Sequence, residues 1–479
     1  MPWIIALVIL GAFAAAAPQL AGIVLAVSLT GLAWRWPNTA LGLGALCVLV
    51  ARPTLDMFGE RRLGLGPFAM SPAVIFGLAV LWMAGVIAVR RGRERRSLWP
   101  DKAVFKAHLP LLLAYAIGLT SGLLHYRSLA LGVGMREMVR MASVLGGFLL
   151  VSWWASEGPE RYRRGWGYIV LGAVPPVALA VWQLVTGTGN LETEGINRLQ
   201  GTFSHPHSLG PYLVPFILCS VAAGTAARAA PRFGWLILAS GLSILLALTF
   251  SRTAELVLIT SLIALPLFQA RTLGRRAFSR GVLAVSLFGI IGWAIAGNYV
   301  RERFSGLRIG AEAIEAARTG RTENSLEWRL VNWGGLIALG LDNPVTGHGL
   351  GMTTVLNPLT DFRTGLPYTA HDDFVRIFFE VGTVGLLCYL LYGALLVRWA
   401  LTKARRAQAP LSSSAIAIPA ALVALFFLTV GTPEWGTQTA EQFELYGMLA
   451  LLTALDARWG SGDAIRANGS EAGVGRQDP

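Results

Sequence analysis

The amino-acid sequence predicts an all-helical integral membrane protein that crosses the bilayer about 12 to 14 times. Two observations carry that expectation. Of 479 residues, 54% are hydrophobic and only 14% are charged, and the apolar residues come in blocks rather than in the alternating stripes of a soluble core. The basic residues that produce the formal net charge of +13 lie between those blocks, so the charge reads as membrane topology and not as a nucleic-acid footprint.

Blocks approaching the roughly 20 residues that cross hydrocarbon occupy 70–89, 109–125, 137–154, 165–185, 209–227, 232–250, 253–270, 280–298, 374–397, 413–431 and 442–457. Shorter blocks at 3–16, 19–34 and 38–51 precede them. The N-terminal MPWIIALVILGAFAAAAP has the small residues of a signal peptide, but no Lys or Arg precedes Arg35, so it reads as a retained first span. Cys47, Cys219 and Cys388 all fall inside apolar blocks, which indicates neither a disulfide framework nor a thiolate metal site.

The segment VRRGRERRSLWPDKAVFK, 89–106, carries seven Lys or Arg. If it is cytoplasmic, strict alternation places 155–164, 228–232, 271–280 and 398–412 on the same side, and each of these is basic. The chain then divides into a helical part over 1–298 with basic cytoplasmic loops, a large outer segment at 299–373, last spans over 374–458, and a polar, Gly-rich tail at 459–479. That tail reads as cytoplasmic and disordered. No convincing internal repeat of the kind found in transporters is present.

The outer segment contains TENSLEWRLVNWGGLIALGLDNP, in which Asn324 is placed to cap a helix and Glu327 falls in its first turns. Leu326, Leu330, Trp333 and Ile337 recur at helical spacing, and Asn343-Pro344 stops the run. Two compatible readings follow: a helix packed on the bundle, and a helix lying along the membrane surface. GHGLGM, 347–352, reads as a plain turn or as an anion-binding nest.

Charge meets the outer end in three places. HDD, 371–373, precedes a span; it reads as a polar helix start, a divalent-metal site, or a base whose neighbouring carboxylates raise its proton affinity. SRTAEL, 251–256, puts Arg252 in a break too short for an ordinary solvated loop, either as a snorkelling anchor or as a partner for an anion. GINRLQGTFSHPHSLGPYLVPF, 195–216, puts Arg198 beside a Gly-Thr turn, while His205 and His207 alone make a poor zinc site. Two arginines and a histidine at one leaflet suit a lipid-linked pyrophosphate, because guanidinium forks bind phosphate oxygens in pairs.

The order of RLQGTFSHPHSLG before one span, SRTA between two spans, NPVTGHGLG in a large outer loop and HDDFVRIFFEVGTVGLL entering the next helix resembles the O-antigen ligase and polymerase superfamily of bacterial membrane glycosyltransferases. The resemblance covers about residues 190–400 and rests on order and spacing. The family pattern often has Asn after the histidine, where this chain has Asp372. The resemblance implies a C-type glycosyltransferase fold in the bacterial inner membrane, with its active site facing the periplasm and its C-terminus in the cytoplasm.

It also implies transfer of a glycan from undecaprenyl pyrophosphate to an acceptor hydroxyl, without a cofactor, a metal or nucleic acid, and with inversion at the sugar. The acceptor is another glycan, a lipid A core or a protein. Carried over by motif, Arg198 and Arg252 hold the pyrophosphate and His371 acts as base. Arg329, His348 and Asp372 are further substrate-binding candidates. The competing reading is a transporter or flippase of lipid-linked glycans or other polyanions.

Overall fold

The computed structural model describes residues 18–58, 63–65, 68–191, 197–226, 230–273, 325–360, 367–407, 412–427 and 439–455, together with 279, 282, 283 and 286; a few side chains within these, that of Arg252 among them, are not described. The expected span at 3–16, nearly all of that at 280–298, the Asn324 cap, the outer segment before residue 325 and the C-terminal tail lie outside this set.

Helices α1 (Pro18–Arg35), α2 (Pro37–Leu46, continued by π and 3₁₀ turns to Phe58), α3 (Pro72–Arg93), α4 (Lys102–Tyr126), α5 (Ser128–Ala155) and α6 (Pro159–Thr186) follow one another through short connections. Then come α7 (Pro206–Ala226), α8 (Ala230–Ala247), α9 (Arg252–Leu273), α10 (Ser325–Gly340), the single turn α11 (Thr353–Leu356), α12 (Asp373–Arg406), α13 (Ser412–Phe427) and α14 (Thr439–Thr453). Two short antiparallel pairs complete it, β1 (Leu63–Leu65) with β2 (Phe68–Met70) and β3 (Asn190–Leu191) with β4 (Asn197–Arg198). Among the described residues, eight helices are long and apolar enough to cross a membrane. The protein is an all-α, multi-pass membrane protein, and nearly every apolar block in the described part of the sequence became a helix.

The core lies where α12 packs along α4, α14 along α5, and α13 against α7 and α12. Outward-facing Val170, Val185, Ile237, Leu124 and Leu387 are left exposed by the bundle, as expected of surfaces whose solvent is lipid. One end is basic: Arg90, Arg91 and Arg93 close α3, and Lys403 of α12 lies 2.6 Å from Asp101 at the start of α4. Burial would raise the Asp101 carboxyl, but bonds from Lys403, from the Trp399 indole (2.8 Å) and from the Ala103 amide hold it below its usual range. The N-termini of α3, α7 and α12 and the C-terminus of α4 lie at the opposite end.

Helix α12 is broken at Gly382, whose φ of 72° and ψ of −169° interrupt the helical ladder. The turn 344–350 fills the break with backbone. The amides of His348 and Gly349 donate to the carbonyls of Phe379 and Glu380 at 2.9 and 2.8 Å, and the Thr383 amide donates to Pro344 O at 2.8 Å. Its other side is bound to α4, where Leu350 N donates to Gly118 O at 3.1 Å and the Ser121 hydroxyl to Gly347 O at 2.7 Å. Peptide groups at membrane depth require such partners.

Candidate active site

The sequence motifs at 198–207 and 249–252 become one structure. Gln183 of α6 accepts the amides of Gln200 and Gly201 at 3.1 and 2.9 Å, and the Thr202 hydroxyl donates to Pro53 O at 2.6 Å, which pins the RLQGT turn between two helices. Buried Arg198 then reaches across to the end of α8, donating Nε–H to Thr249 O at 2.7 Å and a terminal nitrogen to Phe250 O at 3.3 Å. A cation at the carbonyl end of a helix meets the negative pole of its dipole. The same guanidinium comes within 3.5 Å of His207 Nδ1, which lies 3.1 Å from the Ser251 hydroxyl. Arg252 follows as the first residue of α9. The His205 and His207 rings stack with centroids 4.7 Å apart.

His371 is held from the other side. Asn332 of α10 donates to the carbonyls of Thr369 and Ala370 at 3.0 and 3.2 Å, and the Trp333 indole donates to Ala370 O at 2.9 Å. Asn357 ties this anchor to Tyr368 O at 2.8 Å. The chain therefore enters His371 clamped, with a φ of 52°, a left-handed conformation uncommon outside glycine. The imidazole stands edge-on to Trp328, with centroids 5.1 Å apart. Among the described residues, no three His, Cys, Asp or Glu side chains are arranged to hold a metal ion.

The electrostatics of His371 differ from the expected pairing with carboxylates. Asp372 Oδ1 accepts the Val375 amide at 2.8 Å and so caps α12, while Asp373 turns inward to Arg376 and Tyr389. The groups that act on His371 are Arg329 and His205. Burial first, and then the charges of these two, push its imidazole down to about 4. His207 lies within electrostatic reach of Arg198, His205, Arg329 and His371. Two arginines and three imidazoles, drawn from the segment before α7 and its first turn, from α10 and from the entry to α12, thus share one basic cluster.

His348 is placed apart from that cluster. Its Nδ1 is 2.8 Å from the Tyr126 hydroxyl, its Nε2 2.8 Å from Leu339 O, and its ring stacks on Phe379 at 4.8 Å. Both ring nitrogens serve the turn that fills the α12 break. Within GHGLGM the amides of His348, Gly349 and Leu350 are accordingly spent on backbone carbonyls of α12 and α4.

Beneath His371 lies an ion network to which the sequence reading assigned no role. Arg376 sits 3.3 Å from Asp373, 3.7 Å from Glu380 and 3.8 Å from Glu137 of α5, and Glu380 also accepts the Thr353 hydroxyl. The signal was present in the sequence: Arg376 and Glu380 stand four apart inside an apolar span, where charge persists only with partners or a task. On α10 the inward face is Glu327, Asn332 and Leu336, each no more than 1% exposed, whereas Leu330 and Ile337 are both 42% exposed. Of the apolar stripe noted in the sequence, Leu330 and Ile337 therefore point away from the bundle, while Trp333 joins Asn332 of the inward face in anchoring the segment before His371.

A search of curated proteins gave no match. Residues 236–390 match the family model for O-antigen ligase, a stretch that takes in Arg252, Arg329, His348 and His371 and leaves Arg198 on its N-terminal side. The match spans about a third of the chain; with the all-helical membrane architecture it supports the resemblance to the O-antigen ligase and polymerase superfamily and, with it, glycosyl transfer of the O-antigen ligase type in general.

Proposed function

We propose that this protein transfers a glycan from an undecaprenyl-pyrophosphate carrier to an acceptor hydroxyl at the outer face of the bacterial inner membrane, as a ligase or as a surface-polysaccharide polymerase. The observation that carries the reading is the basic cluster of Arg198, His205, His207, Arg329 and His371 at the end of the bundle opposite the arginine-rich one. The positive-inside rule assigns the arginine-rich end to the cytoplasm and the cluster to the outside.

In this mechanism the pyrophosphate lies against Arg198 and Arg252, with Arg329 at its side. The acceptor oxygen attacks the anomeric carbon from the face opposite the leaving group, the bond from that carbon to the phosphate oxygen breaks, and the acceptor proton passes to His371. Undecaprenyl pyrophosphate departs with the bonding electrons, and the sugar is inverted. A base must be unprotonated before the reaction, and burial and the neighbouring cations keep His371 so. The arriving pyrophosphate offsets those same cations, so the imidazole gains proton affinity when the substrate is in place. Preorganised cations at the leaving group supply the electrostatic part of the catalysis.

The test is turnover by the purified protein in detergent, where no gradient exists. Consumption of a lipid-pyrophosphate glycan with transfer to an acceptor, abolished by His371→Ala, supports the reading. Turnover that survives His371→Ala removes His371 as the base, and binding without turnover favours a transporter.

A further inference from the structure

The seam between α1 and α3 combines features that no part of the glycosyl-transfer reading uses. At its basic end is a cleft of about 380 Å³ lined by Trp34, Arg35, Arg90, Arg93 and Glu94. Arg90 is committed, to the Trp34 carbonyl and to Glu94 at 2.8 Å. Arg93 lies over the Trp34 ring with 4.9 Å to its centroid, and among the described residues neither Arg93 nor Arg35 has a carboxylate partner. Both arginines are exposed, and Trp34 and Trp36 beside them are exposed at the level where indoles favour the membrane interface.

One turn further along the same seam begins an apolar groove of about 690 Å³, lined by residues such as Leu25, Leu29, Leu78, Trp82, Val86 and Val89. Gly85 forms part of its wall, with nothing within 4 Å of where a Cβ would stand. The groove thus lacks filling side chains where the helices face lipid, and its mouth opens toward two guanidinium groups that have no carboxylate partner among the described residues. A phosphate in the cleft places an attached hydrocarbon chain directly along the groove. A free anion would use the first feature and leave the second without purpose.

We propose that the α1–α3 seam is a binding site for an anionic glycerophospholipid, its phosphate between Arg35 and Arg93 and one acyl chain in the groove past Gly85. Charge complementarity selects an anionic headgroup over a zwitterionic one: Glu94 at the cleft is paired with Arg90 and Arg96, which leaves Arg35 and Arg93 as surplus positive charge and no spare carboxylate to hold choline. The occupant belongs to the leaflet at the basic end, distinct from the substrate at the opposite end.

The full-length protein, purified in mild detergent, is melted with added phosphatidylglycerol, phosphatidylcholine or inorganic phosphate, and lipid retained from the membrane is counted by native mass spectrometry. Phosphatidylglycerol is expected to raise the melting temperature where phosphatidylcholine and phosphate do not. The double variant Arg35→Gln, Arg93→Gln should weaken lipid retention by roughly five-fold per arginine, and Gly85→Phe should displace the lipid with both arginines intact. Equal protection by phosphatidylcholine overturns the headgroup assignment. Equal protection by inorganic phosphate, or wild-type lipid retention in Gly85→Phe, overturns the acyl groove. The wild-type comparison decides the matter even if a variant fails to fold.

Discussion

Arg198 and Thr249 are 51 positions apart in sequence, yet the Arg198 Nε–H donates to the Thr249 carbonyl at 2.7 Å. This bond closes the end of α8 and fixes the direction of a guanidinium that our mechanism assigns to pyrophosphate. Arg198→Lys keeps the charge but not the planar fork that reaches two carbonyls and a phosphate together. We expect kcat/KM to fall by at least about ten-fold, as for loss of one charged hydrogen bond worth about 1.5–3 kcal/mol, with insertion unchanged. Steady-state kinetics on the purified variant decide it; an unaffected Lys variant would assign Arg198 to charge alone.

The pH profile should be unusual for a histidine base. An ordinary imidazole would protonate below about 6.5, but His371 in the free protein sits at about 4. We expect kcat/KM to stay level from pH 8 down to about 5 and to fall only near the shifted value. The same shift has a stability consequence. Because the folded pKa lies below the unfolded one, the unfolded chain binds more protons between the two values, so stability is full above about 6.5 and is lost as pH falls toward 4. Melting curves across this window should flatten in His371→Gln; an equally acid-sensitive variant would place the sensitivity elsewhere.

Asp372 answers the departure from the family pattern. Its side chain accepts the Val375 amide at 2.8 Å as the cap of α12, and Asn caps a helix as well as Asp does. Asp372→Asn should retain transfer, whereas Asp372→Ala should cost about 1 kcal/mol of stability and loosen His371. A strong loss of activity in the Asn variant would show that the carboxylate charge itself is needed.

The Arg376 network predicts a large stability effect from a residue to which the proposed mechanism gives no role. Arg376→Met takes the counter-charge from buried Asp373 and Glu380, while Glu137 keeps Arg140, and removal of one partner from a buried set costs about 3–5 kcal/mol. Arg398→Met, on the exposed face of the same helix, serves as the control. Thermal unfolding in detergent should separate the two clearly.

Gly349 is the point where the 344–350 turn touches α4. It has a φ of 116°, and a Cβ there would strike the backbone of Gly122. Gly349→Ala should destabilise by at least about 2 kcal/mol, from left-handed strain plus the clash. Gly31→Ala, with nothing within 4 Å of its Cβ position, should be neutral or mildly stabilising in the same melting assay.

The membrane spans and the motif order were legible in the sequence because both are local: a run of apolar side chains long enough to cross hydrocarbon needs no tertiary partner to declare itself, and Pro72, Asp101 and Asp372 mark helix starts by their own chemistry. Tertiary structure decided what those residues do. Only packing sets Arg329 and His205 against His371 and turns Asp372 and Asp373 away from it, which reverses the expected sign of the influence on the imidazole. It also turns GHGLGM into the backbone filling of a broken helix, since partners of a freed carbonyl come from wherever the chain passes nearest. Periodicity locates a helical face, but whether a face meets lipid or protein depends on its neighbours. In α10 the bundle took the side that carries Glu327 and Asn332, and Asn332 reaches from it to hold the segment that presents His371.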